Sequence, residues 1–311
     1  MSALTRASTS HPAPIEPYAV QQALIAVSLS ASDEPLLRYL DFFSREIPVG
    51  GAYFLHVVAR LDQSSAQDAS GAYQIKKGVV NKLEEEVHRT LKEGQIVHLA
   101  FDLREGNPLE ELLKDARDLN ADLAIIGQRT DREKHGILAK NLARKVQGNA
   151  LVVPAEAPAR LQHILVPLDF SAHSLDALRL ALSIRLQLGP RVRVTCLHIF
   201  EAPNLRFYQV EQSAEELEHV LQKDREEAFE AFMHTYFKDQ RDLVEAVTIQ
   251  QEESSIAEQI LSYAQRERAD FIVMGAKGHS SVELLLMGSV TEKLLSLNRR
   301  FPTLITKSQP A

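Results

Sequence analysis

The stretch "ADLAIIG", residues 121–127, returns as "ADFIVMG", residues 269–275. Each is an Ala-Asp pair, four apolar residues and a glycine, and each follows a segment with helical apolar spacing. An apolar run this short, bounded by a charge and a glycine, reads as a strand buried on both faces. Working outward, the rest of the chain also comes in pairs. "ALIAVSL" at 23–29 matches "HILVPLD" at 163–169, and "AYFLHVV" at 52–58 matches "VTCLHIF" at 194–200. "QIVHLAF" at 95–101 matches "EAVTIQQ" at 245–251, and "NALVV" at 149–153 matches "PTLIT" at 302–306. The offsets drift slowly: His56 to His198 is 142, Gly127 to Gly275 is 148, Leu151 to Leu304 is 153. Small insertions in a second copy explain that drift. Strands alternating with helices imply parallel pairing and right-handed crossovers, hence an α/β fold of two tandem doubly wound sheets.

Residues 1–19, rich in Ala, Ser and Pro, read as a flexible arm; 20–153 form the first domain, 154–160 ("PAEAPAR") a short linker, and 161–307 the second domain. Local signals fix several helix ends. Asn107 followed by Pro108 reads as a cap and first turn, Ser213 with Glu216 as a capping box, and Gly94 as a C-terminal cap.

The 311 residues carry a net charge of −7 with pI near 5.9, which points away from nucleic acid or an anionic membrane as partner. The single cysteine, Cys196, allows no intrachain disulfide and no cysteine-built metal site, and it sits in an apolar run that reads as core. There is no run of 18 apolar residues and no apolar leader core, so the expectation is a cytoplasmic protein with no membrane partner.

The chemistry concentrates in "GAKGHSSVELLLMGS", 275–289. Gly275 and Gly278 let the backbone turn tightly where a parallel strand reaches its carboxyl end, the edge at which such sheets bind ligands. The residues from Gly288 read as a helix start, with unpaired N–H groups suited to phosphate. Ser289 and Thr291 offer hydroxyls there, and Lys277 and His279 are candidates to touch phosphate or simply to be solvated. At the same edge Asp169 can accept from a ribose hydroxyl or an adenine amine, or else cap the helix near Ser171. Ile199 offers an apolar wall for a base. His56 and His198 read as core histidines bonded to backbone carbonyls.

Gly275, Gly278, Gly288 and Ser289 match every position of the Gly-two-Gly-nine-Gly-Ser/Thr pattern by which universal stress proteins bind ATP. The chain resembles that family over about residues 20–307, as two copies. The resemblance implies Rossmann-like five-stranded sheets of order 3-2-1-4-5 in each half. It carries the family's nucleotide contacts onto Asp169, preceded by Pro167, onto Ile199, and onto Val290 beside Ser289. ATP, with Mg²⁺ held by the phosphates and water, is the implied cofactor, adenine nucleotide the implied partner, and nucleotide-dependent regulation of a stress response the implied function. Family dimers pair their last strands across a twofold axis. Here both strands lie in one chain, which implies an intramolecular pseudo-dimer with Val152 and Ile305 shielded, and leaves a further homodimer open. Counting along the first copy, Gly127 fits the pattern, but Thr130, Lys140 and Asn141 stand for the second and third glycines and the serine, and Ser28 and Ser30 for the proline and aspartate. The first domain is therefore expected to be degenerate and the stoichiometry one nucleotide per chain. No general base or assembled metal site is evident, so a binder is expected rather than an enzyme. Two other readings are a slow ATPase or autophosphorylating protein using Lys277, His279 or Ser289, and a nucleotide-free interaction scaffold.

Overall fold

The computed structural model describes residues 14–58, 69–92, 94–128, 136–201, 214–251, 253–278 and 287–307. Ten strands form one sheet. In the first half they are β1 (Val20–Val27), β2 (Val49–Val58), β3 (Ile96–Glu105), β4 (Leu123–Gln128) and β5 (Asn149–Pro154). In the second they are β6 (His163–Pro167), β7 (Arg193–Phe200), β8 (Val244–Gln250), β9 (Phe271–Gly275) and β10 (Thr303–Thr306). The spatial order is β3-β2-β1-β4-β5-β10-β9-β6-β7-β8, so each half has the order 3-2-1-4-5 and the halves meet edge to edge. All pairings are parallel except that of β5 with β10, which is antiparallel.

That junction has the register of a twofold axis. Leu151 faces its own counterpart Leu304, while Val152 faces Thr303 and Ala150 faces Ile305. Val152 and Ile305 are buried, as the pseudo-dimer expectation required. An apolar edge strand invites aggregation unless paired; each half here supplies the other's missing neighbour. The cores are continuous across the seam. On one face Leu151 and Leu304 join the buried stripes of α1 (Glu34–Glu46), α2 (Ala69–Thr90), α5 (Ala172–Leu188) and α6 (Ala214–Tyr236). On the other, Val152 and Ile305 join those of α3 (Pro108–Asp118), α4 (Ile137–Lys145), α7 (Ile256–Arg266) and α8 (Ser289–Leu297). Polar links also cross the seam: Gln128 Nε2 donates to the Leu295 carbonyl at 2.7 Å, and Arg144 pairs with Glu292 at 2.7 Å.

The aspartate of the repeated Ala-Asp pair has a structural task. Asp122 accepts from the backbone N–H groups of Gln21 (2.8 Å) and Gln22 (2.9 Å), at the start of β1. Asp270 does the same for Gln162 and His163 (both 3.0 Å) beside β6, and also pairs with Arg160 at 2.7 Å. Each carboxylate thus ties the entry of the fourth strand of its half to the entry of the first.

The cap at Asn107–Pro108 is as expected, α5 is capped by Ser171 rather than by Asp169, and Ser255 with Glu258 forms a capping box at the start of α7. Ser213 with Glu216 lies outside the described residues. Gly94 is not a cap. α2 ends at Thr90, and Gly94 donates its N–H to Asp41 (2.9 Å), packed too closely against Ser44 for a side chain. The described part of the N-terminal segment is not a loose arm either. Tyr18 N–H donates to the Ser183 carbonyl (3.1 Å), Ser183 Oγ donates to the Glu16 carbonyl (2.5 Å), and Ile15 and Tyr18 pack on the core. The segment preceding the first half is thereby pinned to α5 of the second.

Candidate functional site

Four segments of the second half converge at the carboxyl edge of the sheet. β6 ends at Pro167, and Leu168 and Asp169 follow. Phe170 takes φ 62°, unusual for a residue with a Cβ, and this reverses the chain into α5. Ser171 caps α5, its Oγ accepting from Ser174 N–H at 3.2 Å. Asp169 is not the cap but its brace: Oδ1 accepts from Ser171 N–H (3.1 Å) and Ser171 Oγ (2.6 Å). The other carboxylate oxygen lies against Gly278, where any Cβ would overlap it. β7 brings Ile199 to the edge, and the preceding His198 donates from Nδ1 to the Leu168 carbonyl (2.8 Å), fixing the exit of β6.

β9 delivers Gly275. A Cβ there would fall 2.8 Å from both the Cβ and the carbonyl oxygen of His173, so packing against α5 demands glycine. α8 begins at Ser289 with Gly288 as its N-cap and no side chain capping it. Gly288 N–H donates to the Ala276 carbonyl (2.7 Å) and Thr291 Oγ1 to the Gly275 carbonyl (3.0 Å), locking the helix start onto the strand end. Thr291 is therefore a brace, not the ligand donor that its position in the sequence suggested.

Gly288 differs from the other two glycines. Its φ is −74° and ψ 152°, open to any residue, and among the described residues an added Cβ would meet nothing nearer than Gly278 N and Lys277 Cα at an ordinary 3.5 Å, with the Ala276 carbonyl at 3.7 Å. Neither backbone nor packing asks for glycine at this position. The lack of a side chain leaves space beside the uncapped first turn of α8.

These segments enclose a pocket of about 210 Å³. Pro167, Asp169, Ile199, Gly275, Lys277, Gly278, Gly288, Ser289 and Val290 all line it, so the structure brings these sequence-selected residues to one place. His279 lies outside the described residues. Sequence reasoning missed the apolar wall made by Leu197, Ile256, Ile260 and Met274. Its signal was the i, i+4 pair on α7, indistinguishable in sequence from ordinary core. Lys277 lines the pocket, and its charge reaches two neighbouring groups. Burial, and then the nearby Lys277 charge, lower the Lys307 pKa to about 8, while Lys307 Nζ donates to the Arg144 carbonyl in the last turn of α4 (2.9 Å). Burial, followed by Lys277, also lowers the His173 pKa. Cys196 is buried and its thiol is pushed well up, so it stays protonated and inert.

The first half shows where counting along the sequence misplaces residues. Val27 pairs with His56, whose Nδ1 donates to its carbonyl (3.0 Å), as His198 does to Leu168. Leu29 has φ 54°, matching Phe170. These equivalences put Ser28 in the place of Asp169 and Ala26 in that of Pro167, while Ser30 is the counterpart of the cap Ser171. α4 begins after Gly136 as α8 begins after Gly288, so the third glycine does have a partner and Ile137 occupies the serine position. The loop is four residues shorter here (127 to 136 against 275 to 288), which is why ungapped counting landed on Lys140 and Asn141 inside the helix. Lys140 in fact reaches Ser296 Oγ of α8 at 3.0 Å. Thr130 lies outside the described residues.

A doubly wound α/β domain with a glycine-bordered pocket at its strand ends, repeated in tandem and joined through its last strands, defines the class. Residues 160–299 match the model of the universal stress protein family. Over 148 residues the chain is 26% identical to a universal stress protein of Methanocaldococcus jannaschii, covering 46% of this chain and 81% of that one. A universal stress protein from Archaeoglobus fulgidus superposes with a TM-score of 0.67 at 18% identity, covering 93% of this chain and 98% of its own. A Pseudomonas aeruginosa PAO1 protein of unknown function gives 0.61 at 14% identity, covering 94% of each chain. At these identities the structural likeness is one of fold, and it extends through both halves. Residues 160–299 thus form a domain of the universal stress protein family, and the first half repeats that fold ahead of it. No helix among the described residues is long and apolar enough to cross a membrane.

Proposed function

We propose that the second half binds an adenine nucleotide, ATP, in the pocket between β6, β7, β9 and α8, and that occupancy serves as a regulatory signal in a stress response. The observation that carries this reading is Gly288. Among the described residues the fold leaves a Cβ-sized space at the uncapped start of an α-helix, beside Lys277 and Gly278, and neither backbone angle nor contact there calls for glycine. A helix N-terminus favours phosphate through its free N–H groups and its partial positive charge. Gly288, Ser289 and Val290 would hold the phosphates, with Lys277 adding charge. Asp169 would accept from the ribose, and Ile199 with Ile256 and Met274 would pack on the base. Mg²⁺ would be carried by the phosphates and water.

Among the described residues the pocket offers groups for recognition, and we favour binding over turnover. Calorimetric titration of the full chain with ATP tests the reading. One site per chain is expected in the wild type, with loss of binding in a folded Gly288→Val variant. A well-folded wild type that takes up no adenine nucleotide would overturn it.

A further inference from the structure

The first half has kept a pocket at the matching place, about 260 Å³, at the ends of β1, β2 and β4 and the start of α4. Its frame is that of the second half: the histidine-to-carbonyl bond, the positive-φ turn, and the helix starting after a glycine all recur. Its chemistry has been changed in one direction. Ile137, Leu138 and Ala139 stand where Ser289, Val290 and Thr291 stand in the second half.

The glycine has also changed its reason for being there. Gly136 has φ 60°, a left-handed conformation that favours glycine whatever occupies the pocket. Asp33, 6% exposed, lines the wall, and its carboxylate accepts from Ser28 N–H (2.8 Å), Ser28 Oγ (2.9 Å) and Ser30 N–H (3.3 Å). No lysine or arginine is among the described residues lining this pocket. Asp33 is the only carboxylate among them, with no such cation to offset it, which disfavours an anion against this wall. At the mouth, Ile137 is 52% and Leu138 37% exposed, so two large apolar side chains face water at the rim of an apolar cavity.

We propose that the first-half pocket is a second binding site, for an uncharged, mainly apolar small molecule of about the size of a nucleoside. It is not a vestige of the nucleotide site. Ile137 and Leu138 would close over the ligand at the rim, Ile126 and Leu112 would form its floor, and Asp33 would exclude anions. This site stands whether or not the second half takes a nucleotide.

The test uses N-phenyl-1-naphthylamine, a neutral aromatic probe whose emission rises in apolar surroundings, titrated into the full chain. Saturable binding at one probe per chain is expected. Ile137→Asp places a charge at the rim without disturbing the core and should weaken binding by about 10-fold or more, since that ratio corresponds to burial of about two methylene-sized groups. Ile137→Val should restore binding to near the wild-type level. Leu138→Ser provides a second, milder variant should Ile137→Asp fail to fold, and should also weaken binding. Absence of saturable emission gain, or equal probe affinity in the wild type and in the folded rim variants, would overturn the proposal.

Discussion

Replacing Gly288 by alanine separates what the fold needs from what a ligand needs. The added Cβ would rest 3.5 Å from Gly278 N and Lys277 Cα, at φ −74° and ψ 152°, so it causes neither clash nor strain. Two small effects on stability then oppose each other. Alanine restricts the unfolded chain more than glycine does, a gain of about 0.4–1 kcal/mol. Alanine is also a poorer N-cap, a loss of up to about 1 kcal/mol. The net change should stay within about 1 kcal/mol, a shift of a few degrees at most in melting temperature. Binding should respond quite differently. A phosphate held off the first turn of α8 by one methyl group loses at least one charge-assisted bond to a backbone N–H, about 1.5–3 kcal/mol. That corresponds to roughly a 10- to 100-fold weaker affinity for ATP. Calorimetry for affinity and a thermal melt for stability read the two quantities independently. Wild-type ATP affinity in the folded variant would show that phosphate does not approach Gly288. A melt lowered by many degrees would show that the fold itself requires glycine there, and the reasoning from empty space would fail.

Asp169→Ala should weaken nucleotide binding by about 1.5–3 kcal/mol and also loosen the cap of α5, so faster hydrogen exchange at Ser171 and Ser174 should accompany the loss; intact exchange protection there would contradict the bracing role. Val152→Asp buries a charge at the β5–β10 seam and should cost on the order of 3 kcal/mol or more. Limited proteolysis between residues 154 and 162 should then accelerate, whereas unchanged cleavage and slow exchange of both strands would show that the seam does not depend on this contact. Lys307 gives a pH test. Its folded pKa of about 8 lies below the ordinary lysine value of 10.5, so the folded state sheds this proton first. Stability from this group is therefore lowest below pH 8 and rises between about 8 and 10.5. A phosphate bound at Lys277 would offset the positive charge that helps lower the Lys307 pKa, and so favour the ammonium form of Lys307. ATP binding at pH 8.5 should thus take up protons, seen as buffer-dependent heats that vanish in Lys307→Met, and affinity should fall as the pH rises through about 8. Identical heats in buffers of different ionisation enthalpy would refute the linkage.

The sequence by itself determined the repeat, the α/β class and the glycine-bordered side of the second-half pocket. Those are local properties: apolar runs of strand length, caps at helix starts, and glycines at a fixed spacing on one loop. The tertiary structure decided what depended on contacts between distant segments. Asp122 and Asp270 look alike in sequence but reveal their task only when the first and fourth strands of each half lie side by side. Ile256 and Ile260 read as core until α7 is placed over the strand ends. Thr291 reads as a donor to ligand until the Gly275 carbonyl comes within 3.0 Å of it. In the first half, a loop shortened by four residues hid Gly136 from counting, because a spacing motif assumes a loop length that only the position of the helix can verify. The empty space at Gly288 is likewise invisible in sequence, where all three glycines of the motif look the same. Neighbouring atoms show that Gly275 is imposed by packing on the His173 backbone, that Gly278 makes room for the Asp169 carboxylate, and that at Gly288 the described residues leave room they do not use.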